Sequence, residues 1–301
     1  MKTRIWSTAD SEQTLILQDG RKLGFAEYGD LNGFPIIGLH GTPGSRLWFI
    51  GNDETAVDLG VRLITVDRPG YGLSTPLSKR TLLDFNKDLD QLISHLGVSR
   101  CSIFGVSGGG AYALAYASHE TAPIYKAGLV ASIYEFENGK PPSDMCRPNR
   151  VAFYLARRFP WLLRYSYQQQ KKLIDTNPQL YVSSVQKTLG HLAYSDQQLL
   201  KDESMVASML LQFREAFRHS ATEAAHELRM MSQPWGIPYE QIAVPVEIWH
   251  GSEDTLSPIR GMEKFHQILP DSNFHVVPGK GHFLDEEAVI WQDILATLKP
   301  I

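Results

Sequence analysis

Three polar residues stand where an apolar run gives way to glycine. Gly105-Val106-Ser107-Gly108-Gly109 lies between the apolar run 100–106 and the Ala/Tyr/Leu-rich run 108–118. Gly251-Ser252-Glu253-Asp254 follows the run 244–250, and Gly279-Lys280-Gly281-His282 follows 273–277. The first matches G-x-S-x-G, a pattern that chance alone yields roughly 0.1 times in a chain of this length, so its weight comes from lying between a strand and a helix. A sharp turn there lifts the hydroxyl clear of a sheet, and glycines on either side let strand and helix approach closely. A serine hydroxyl is a poor nucleophile at neutral pH. It needs an imidazole base, which in turn needs a carboxylate to orient it. Asp254 and His282 follow Ser107 in the order this arrangement requires, with room between them for one helix and one strand. The chemistry expected is acyl transfer. The N–H of Gly108, at a helix N-terminus, and that of Thr42, in His40-Gly41-Thr42-Pro43-Gly44, are the expected oxyanion donors.

Competing residues have blander readings. His40 is expected to support the oxyanion loop rather than act as base, since the chain order assigns that role to His282. Glu253 reads as a solvated loop charge beside Asp254, while Glu135 and Glu137 form a second acid position that the same order disfavours. Gly105 to Gly110 is not expected to bind a dinucleotide, because Ser107 replaces the second required glycine and no ribose-binding acid can be assigned. His250, His266 and His275 lack metal-ligand spacing, so neither cofactor nor metal is expected.

Positioning these residues requires a sheet. Residues 13–28 read as a hairpin around Asp19-Gly20, and strands are expected at 35–40, 61–67, 100–106, 126–134, 244–250 and 273–277. Helical periods fall at 53–60, 81–96, 108–118, 259–268 and 283–298. Such alternation predicts an α/β fold: a mostly parallel eight-stranded sheet with helices on both faces and its ligand site beyond the carboxyl ends of the strands. Residues 135–233 carry helical patterns only, with Ser195-Asp196-Gln197-Gln198 and Ser220-Ala221-Thr222-Glu223 matching the capping box. They are read as a helical cap inserted into a core formed by 1–134 and 234–301. The Met205, Met209, Phe213 and Phe217 stripe is read as packing.

Taken together, HGTPG at 40–44, DRPGYGLS at 67–74, GVSGG at 105–109, GSEDTLSP at 251–258 and GKGHF at 279–283 resemble the α/β-hydrolase superfamily over nearly the whole chain. The resemblance implies Ser107 as nucleophile, Asp254 as acid, His282 as base, and Thr42 and Gly108 as oxyanion donors. Dehalogenases and epoxide hydrolases of this superfamily carry Asp where this chain has Ser107. Proline iminopeptidases usually show HGGPG and GGSWG, and the chain departs from both. The reaction implied is hydrolysis of a small carboxylic ester. Amide or peptide cleavage and C–C hydrolysis are alternatives with the same triad, and a non-catalytic ligand-binding or sensor protein is an alternative of another class.

The partners that the resemblance implies are a small acyl substrate and water, and composition argues against other classes. The 301 residues carry 29 Lys+Arg against 33 Asp+Glu, a net charge of −4 that is too balanced for an electrostatic nucleic-acid binder. No run approaches the roughly 18 apolar residues of a membrane span, so no membrane partner is expected. The first residues lack the apolar core of a secretory signal, so the expected compartment is the cytoplasm. Cys101 and Cys146 are read as reduced.

Overall fold

Neighbouring isoleucines on one strand face opposite cores. Ile36 joins Phe104, Val106, Trp249 and Trp291 on one side of the sheet, while Ile37 joins Ile103, Leu114, Leu129 and Phe265 on the other. The period-two alternation of a strand thus divides the apolar residues between two layers. The computed structural model describes residues 12–51 and 53–300. Most of the segment read for a secretory signal, with Trp6 in it, lies outside the described residues.

Eight strands run β1 (Gln13–Ile16), β2 (Lys22–Gly29), β3 (Phe34–Leu39), β4 (Val61–Val66), β5 (Cys101–Val106), β6 (Ile124–Val130), β7 (Val246–Gly251) and β8 (Ser272–Val277). Their spatial order is β1-β2-β4-β3-β5-β6-β7-β8. β2 pairs antiparallel with β1 and β4, and every other pairing is parallel. The hairpin turns at Gly20, whose φ of +83° is one that glycine adopts without a Cβ clash.

The helices are α1 (Asp53–Asp58), α2 (Asn86–His95), α3 (Gly109–Ala117), α4 (Arg147–Arg158), α5 (Pro160–Thr176), α6 (Pro178–Gln186), α7 (Tyr194–Leu199), α8 (Glu203–Ala216), α9 (Thr222–Met231), α10 (Ile259–His266) and α11 (Ala288–Leu298). α1 and α11 belong to the Trp291 layer, and α2, α3 and α10 to the opposite one. Burial on both faces explains why β5 and β7, every residue of which is buried, are mostly apolar, with only Ser102, Glu247 and His250 as polar side chains.

Three boundaries differ from the expectation. The sixth strand ends at Val130 rather than at 134, because the chain turns there through Ala131 at φ +44° and Ser132, Ile133 and Tyr134 become a buried loop. Thr81 does not open a continuous helix; its N–H and hydroxyl both donate to Asp84, a 3₁₀ turn spans Leu83–Phe85, and α2 begins at Asn86. The 283–298 helix likewise starts late: a 3₁₀ turn at Leu284–Glu286 precedes α11 at Ala288.

Between β6 and β7 the chain makes α4 to α9, so the helical reading of this stretch agrees with the elements formed. Neither capping box operates as expected. Ser195 and Asp196 fall inside α7, and their side chains accept hydrogen bonds from the Gly281–Phe283 loop. Ser220 accepts from the Thr222 N–H, but the Glu223 carboxylate turns away to Arg80.

Candidate active site

Ser107 occupies the turn between β5 and α3 with φ +53°, a left-handed conformation that costs a non-glycine residue about 1–3 kcal/mol. The turn is clamped from both sides. Ser107 N–H donates to Val130 O, while its carbonyl accepts from the N–H groups of Gly110 and Ile133. Sterics explain Gly109: a Cβ there would overlap the Leu39 carbonyl at the end of β3. The Ser107 hydroxyl makes no hydrogen bond among the described residues and lines a cavity of about 190 Å³.

His282, on the loop after β8, lines the same cavity. Its Nδ1 lies 2.7 Å from Asp254 Oδ2, on the loop after β7, and both side chains are buried. Asp254 is itself oriented, since its Oδ1 accepts from the N–H groups of Leu256 and Ser257. These contacts assign the proton to Nδ1 and leave Nε2 as an acceptor on the cavity side. Burial disfavours the imidazolium, but the Asp254 carboxylate and its hydrogen bond outweigh burial and raise the His282 pKa above the ordinary value. Glu253 is exposed, and Glu135 is occupied by the Tyr239 hydroxyl and the Trp235 N–H.

Thr42, on the 40–44 loop, and Gly108 lie side by side: a Cβ on Gly108 would strike the Thr42 hydroxyl. Neither backbone N–H is taken by another group among the described residues, and both residues line the cavity. Gly108 immediately precedes α3, so its N–H also lies in the positive field of that helix. His40 serves the loop. Its Nδ1 donates to Gly41 O, its Nε2 accepts from the Arg68 N–H, and burial together with Arg68 holds its pKa well below the ordinary value.

Two supporting residues were not singled out in the sequence. Asp196, from α7, accepts the His282 N–H at 3.0 and 2.9 Å through its two oxygens, and burial raises its pKa against the pull of that bond. Glu227, from α9, is buried beside the 40–44 loop, where it accepts from Arg68, Arg80, Tyr71, Tyr112 and the Thr42 hydroxyl. Burial alone would raise the Glu227 pKa; the two guanidinium groups overcome it and hold the carboxyl well below the usual range. Only the spacing of Asp196 within a helical stretch was legible, and no local pattern announces a partner 86 residues away.

The rest of the cavity wall is mostly apolar, with Asn149 and the Tyr167 ring as its uncharged polar members. Phe153, Tyr167, Phe213, Leu228 and Met231, from α4, α5, α8 and α9, form one side, and Ile133, Leu256 and Phe283 line the core side. Among the described lining residues there is no Asp, Glu, Lys or Arg. Phe213, read as packing, both packs against the core and faces the cavity. Described residues contain no group of three or more His, Cys, Asp or Glu side chains suited to a metal ion.

Comparison with known proteins places this geometry in context. A family model described as alpha/beta hydrolase fold matches residues 35–288. A proline iminopeptidase from Xylella fastidiosa (strain 9a5c) is 25% identical over 313 aligned positions, covering 89% of each chain. One from Xanthomonas citri is 35% identical, but over 121 residues that make up 38% of this chain and 37% of that protein. The esterase EaEST from Exiguobacterium antarcticum superposes with a TM-score of 0.67 at 18% identity, covering 95% of this chain and 98% of the esterase.

Proposed function

The chain belongs to the alpha/beta hydrolase fold family, and on that premise we propose that it is a serine hydrolase that cleaves small, uncharged carboxylic esters through an acyl-enzyme. One observation carries the reading: a histidine already oriented by a buried carboxylate shares a small apolar cavity with a serine held at φ +53°. Residues 135–233 act as the cap that closes this cavity.

His282 Nε2 takes the Ser107 proton as Oγ attacks the ester carbonyl carbon, and the resulting oxyanion accepts from the Thr42 and Gly108 N–H groups. Each such donor is worth about 10²–10³ in kcat. Collapse of the intermediate breaks the C–O bond to the alcohol, which leaves with the proton from His282. Water then repeats the attack on the acyl-enzyme and returns Ser107. Asp254 keeps the proton on Nδ1 and stabilises the imidazolium formed in each half.

Aminopeptidase activity is the second reading, favoured by the relatives named proline iminopeptidase. It requires a counter-charge for a substrate ammonium or imino nitrogen. The described cavity lining offers none, and the Glu227 carboxylate behind it is engaged by two arginines. Turnover of 4-nitrophenyl esters of increasing acyl length, beside proline and alanine 4-nitroanilides, tests the choice. The ester reading expects turnover of short acyl chains and none of the anilides; faster anilide turnover overturns it.

A further inference from the structure

The outer side of α4 and α5 is unlike the rest of the surface. Residues 145–174 contain seven Lys and Arg and no Asp or Glu, in a chain whose net charge is −4. Arg147, Arg150, Arg157, Arg158 and Arg164 are all exposed, and none pairs with a carboxylate among the described residues. On α4 the exposed positions 147, 150, 151, 154, 157 and 158 recur at helical spacing and form one stripe, while Phe153 and Ala156 are buried.

Large apolar groups stand among these charges. Trp161 is 63% exposed, Tyr154 57% and Tyr165 56%, and Phe159 at the corner between the helices contacts Tyr154 ring to ring. Both helices pack their inner sides on α9, which leaves both outer sides facing away from it. A groove of about 460 Å³ runs along α4, bounded by Arg147, Arg150, Arg157, Arg158 and Lys140 around Val151 and Tyr154. Cations, aromatic rings and aliphatic groups intermixed on one helix face are the composition of an interfacial helix. A nucleic-acid site would also be cationic, but it has no use for exposed Val151, Phe159 and Leu162.

We propose that the outer side of α4–α5 docks on an anionic phospholipid surface, with the arginines meeting lipid phosphates and Trp161, Tyr154 and Phe159 entering the headgroup layer. This amends the expectation of no membrane partner, which rested on spanning length alone; lying on a bilayer needs no span. Asn149, Ala152 and Phe153 on the inner side of α4 line the cavity of Ser107, so a docked chain turns the wall of that cavity toward the lipid. Binding is independent of the serine chemistry, and Ser107→Ala binds as the unaltered chain does.

Cosedimentation of the full chain with vesicles tests the proposal, using phosphatidylcholine alone and phosphatidylcholine with about 30 mol% phosphatidylserine. Binding is expected to the anionic vesicles only, and to weaken as salt is raised. Each cation near such a surface multiplies partitioning about fivefold, so R147Q/R158Q/R164Q lowers it roughly 100-fold while soluble-ester turnover is retained. Brominated lipid provides a readout that needs no charge variant: it quenches tryptophan emission in the unaltered chain, and W161F loses the quenching. Equal binding to both vesicle types, no binding to either, or binding to an oligonucleotide without binding to vesicles would each overturn the proposal.

Discussion

Replacing Glu227 by Gln isolates the charge that ties α9 to the loop carrying Thr42. The carboxylate and the Arg68 and Arg80 guanidinium groups have no side-chain exposure, and Arg68 is bound by both carboxylate oxygens. Gln keeps the shape but leaves Arg68 with an uncompensated charge in a dry site. Breaking a buried pair by removing one partner costs about 3–5 kcal/mol. With an unfolding entropy of ~2.1 cal/mol/K per residue over 301 residues, that corresponds to a Tm lower by about 5–8 °C. Urea unfolding followed by tryptophan emission and by circular dichroism measures the loss directly. Ester turnover is expected to fall as well, since a neutral amide replaces the anionic acceptor of the Thr42 hydroxyl. A second change, R68M, removes the orphaned charge, so E227Q/R68M is expected to be about 1–3 kcal/mol more stable than the sum of the single changes implies. Stability of E227Q within about 0.5 kcal/mol of the unaltered chain, or strict additivity in the cycle, would mean that the Glu227 charge does not hold α9 in place.

Other perturbations test the remaining contacts. Asp196→Asn weakens the bonds to the His282 and Phe283 N–H groups; kcat is expected to fall by up to about 100-fold with KM nearly unchanged, and unchanged kcat would exclude a positioning role. His282 must be neutral to act as base and its pKa is raised, so kcat/KM is expected to drop on acidification with a midpoint above 6.5, a midpoint that Asp254→Asn moves downward. A profile flat through that region would contradict the assignment of the base. Gly109→Ala drives a Cβ into the Leu39 carbonyl and is expected to cost about 1–3 kcal/mol in urea unfolding along with a loss of turnover. A silent substitution would mean that the elbow is looser than its contacts imply.

Legibility in the sequence followed the range of the interaction. The strand and helix alternation, the hairpin at Asp19-Gly20 and the positions of Ser107, Asp254 and His282 at strand ends are local features, and the structure forms those elements. The helical content of 135–233 was equally readable, because period and proline breaks act within a few residues. Ser195-Asp196 misled for the opposite reason. Their oxygens bind N–H groups of the Gly281–Phe283 loop in place of their own helix, a tertiary bond that no capping pattern encodes. Glu227 was invisible too: its carboxylate partners come from positions 42, 68, 71, 80 and 112, assembled only when α9 lies against the core. Strand β6 was drawn too long because Ile133 and Tyr134 are apolar and buried, yet they belong to the loop that turns past Ser107.

Everything proposed for catalysis depends on His282 making one hydroxyl reactive. Incubation with a fluorophosphonate, followed by intact-protein and peptide mass spectrometry, reads this without any choice of substrate. A single adduct is expected on the peptide containing Ser107, absent in Ser107→Ala and slowed by several orders of magnitude in His282→Ala. An unlabelled native chain, or one labelled equally well after Ser107→Ala, would contradict it.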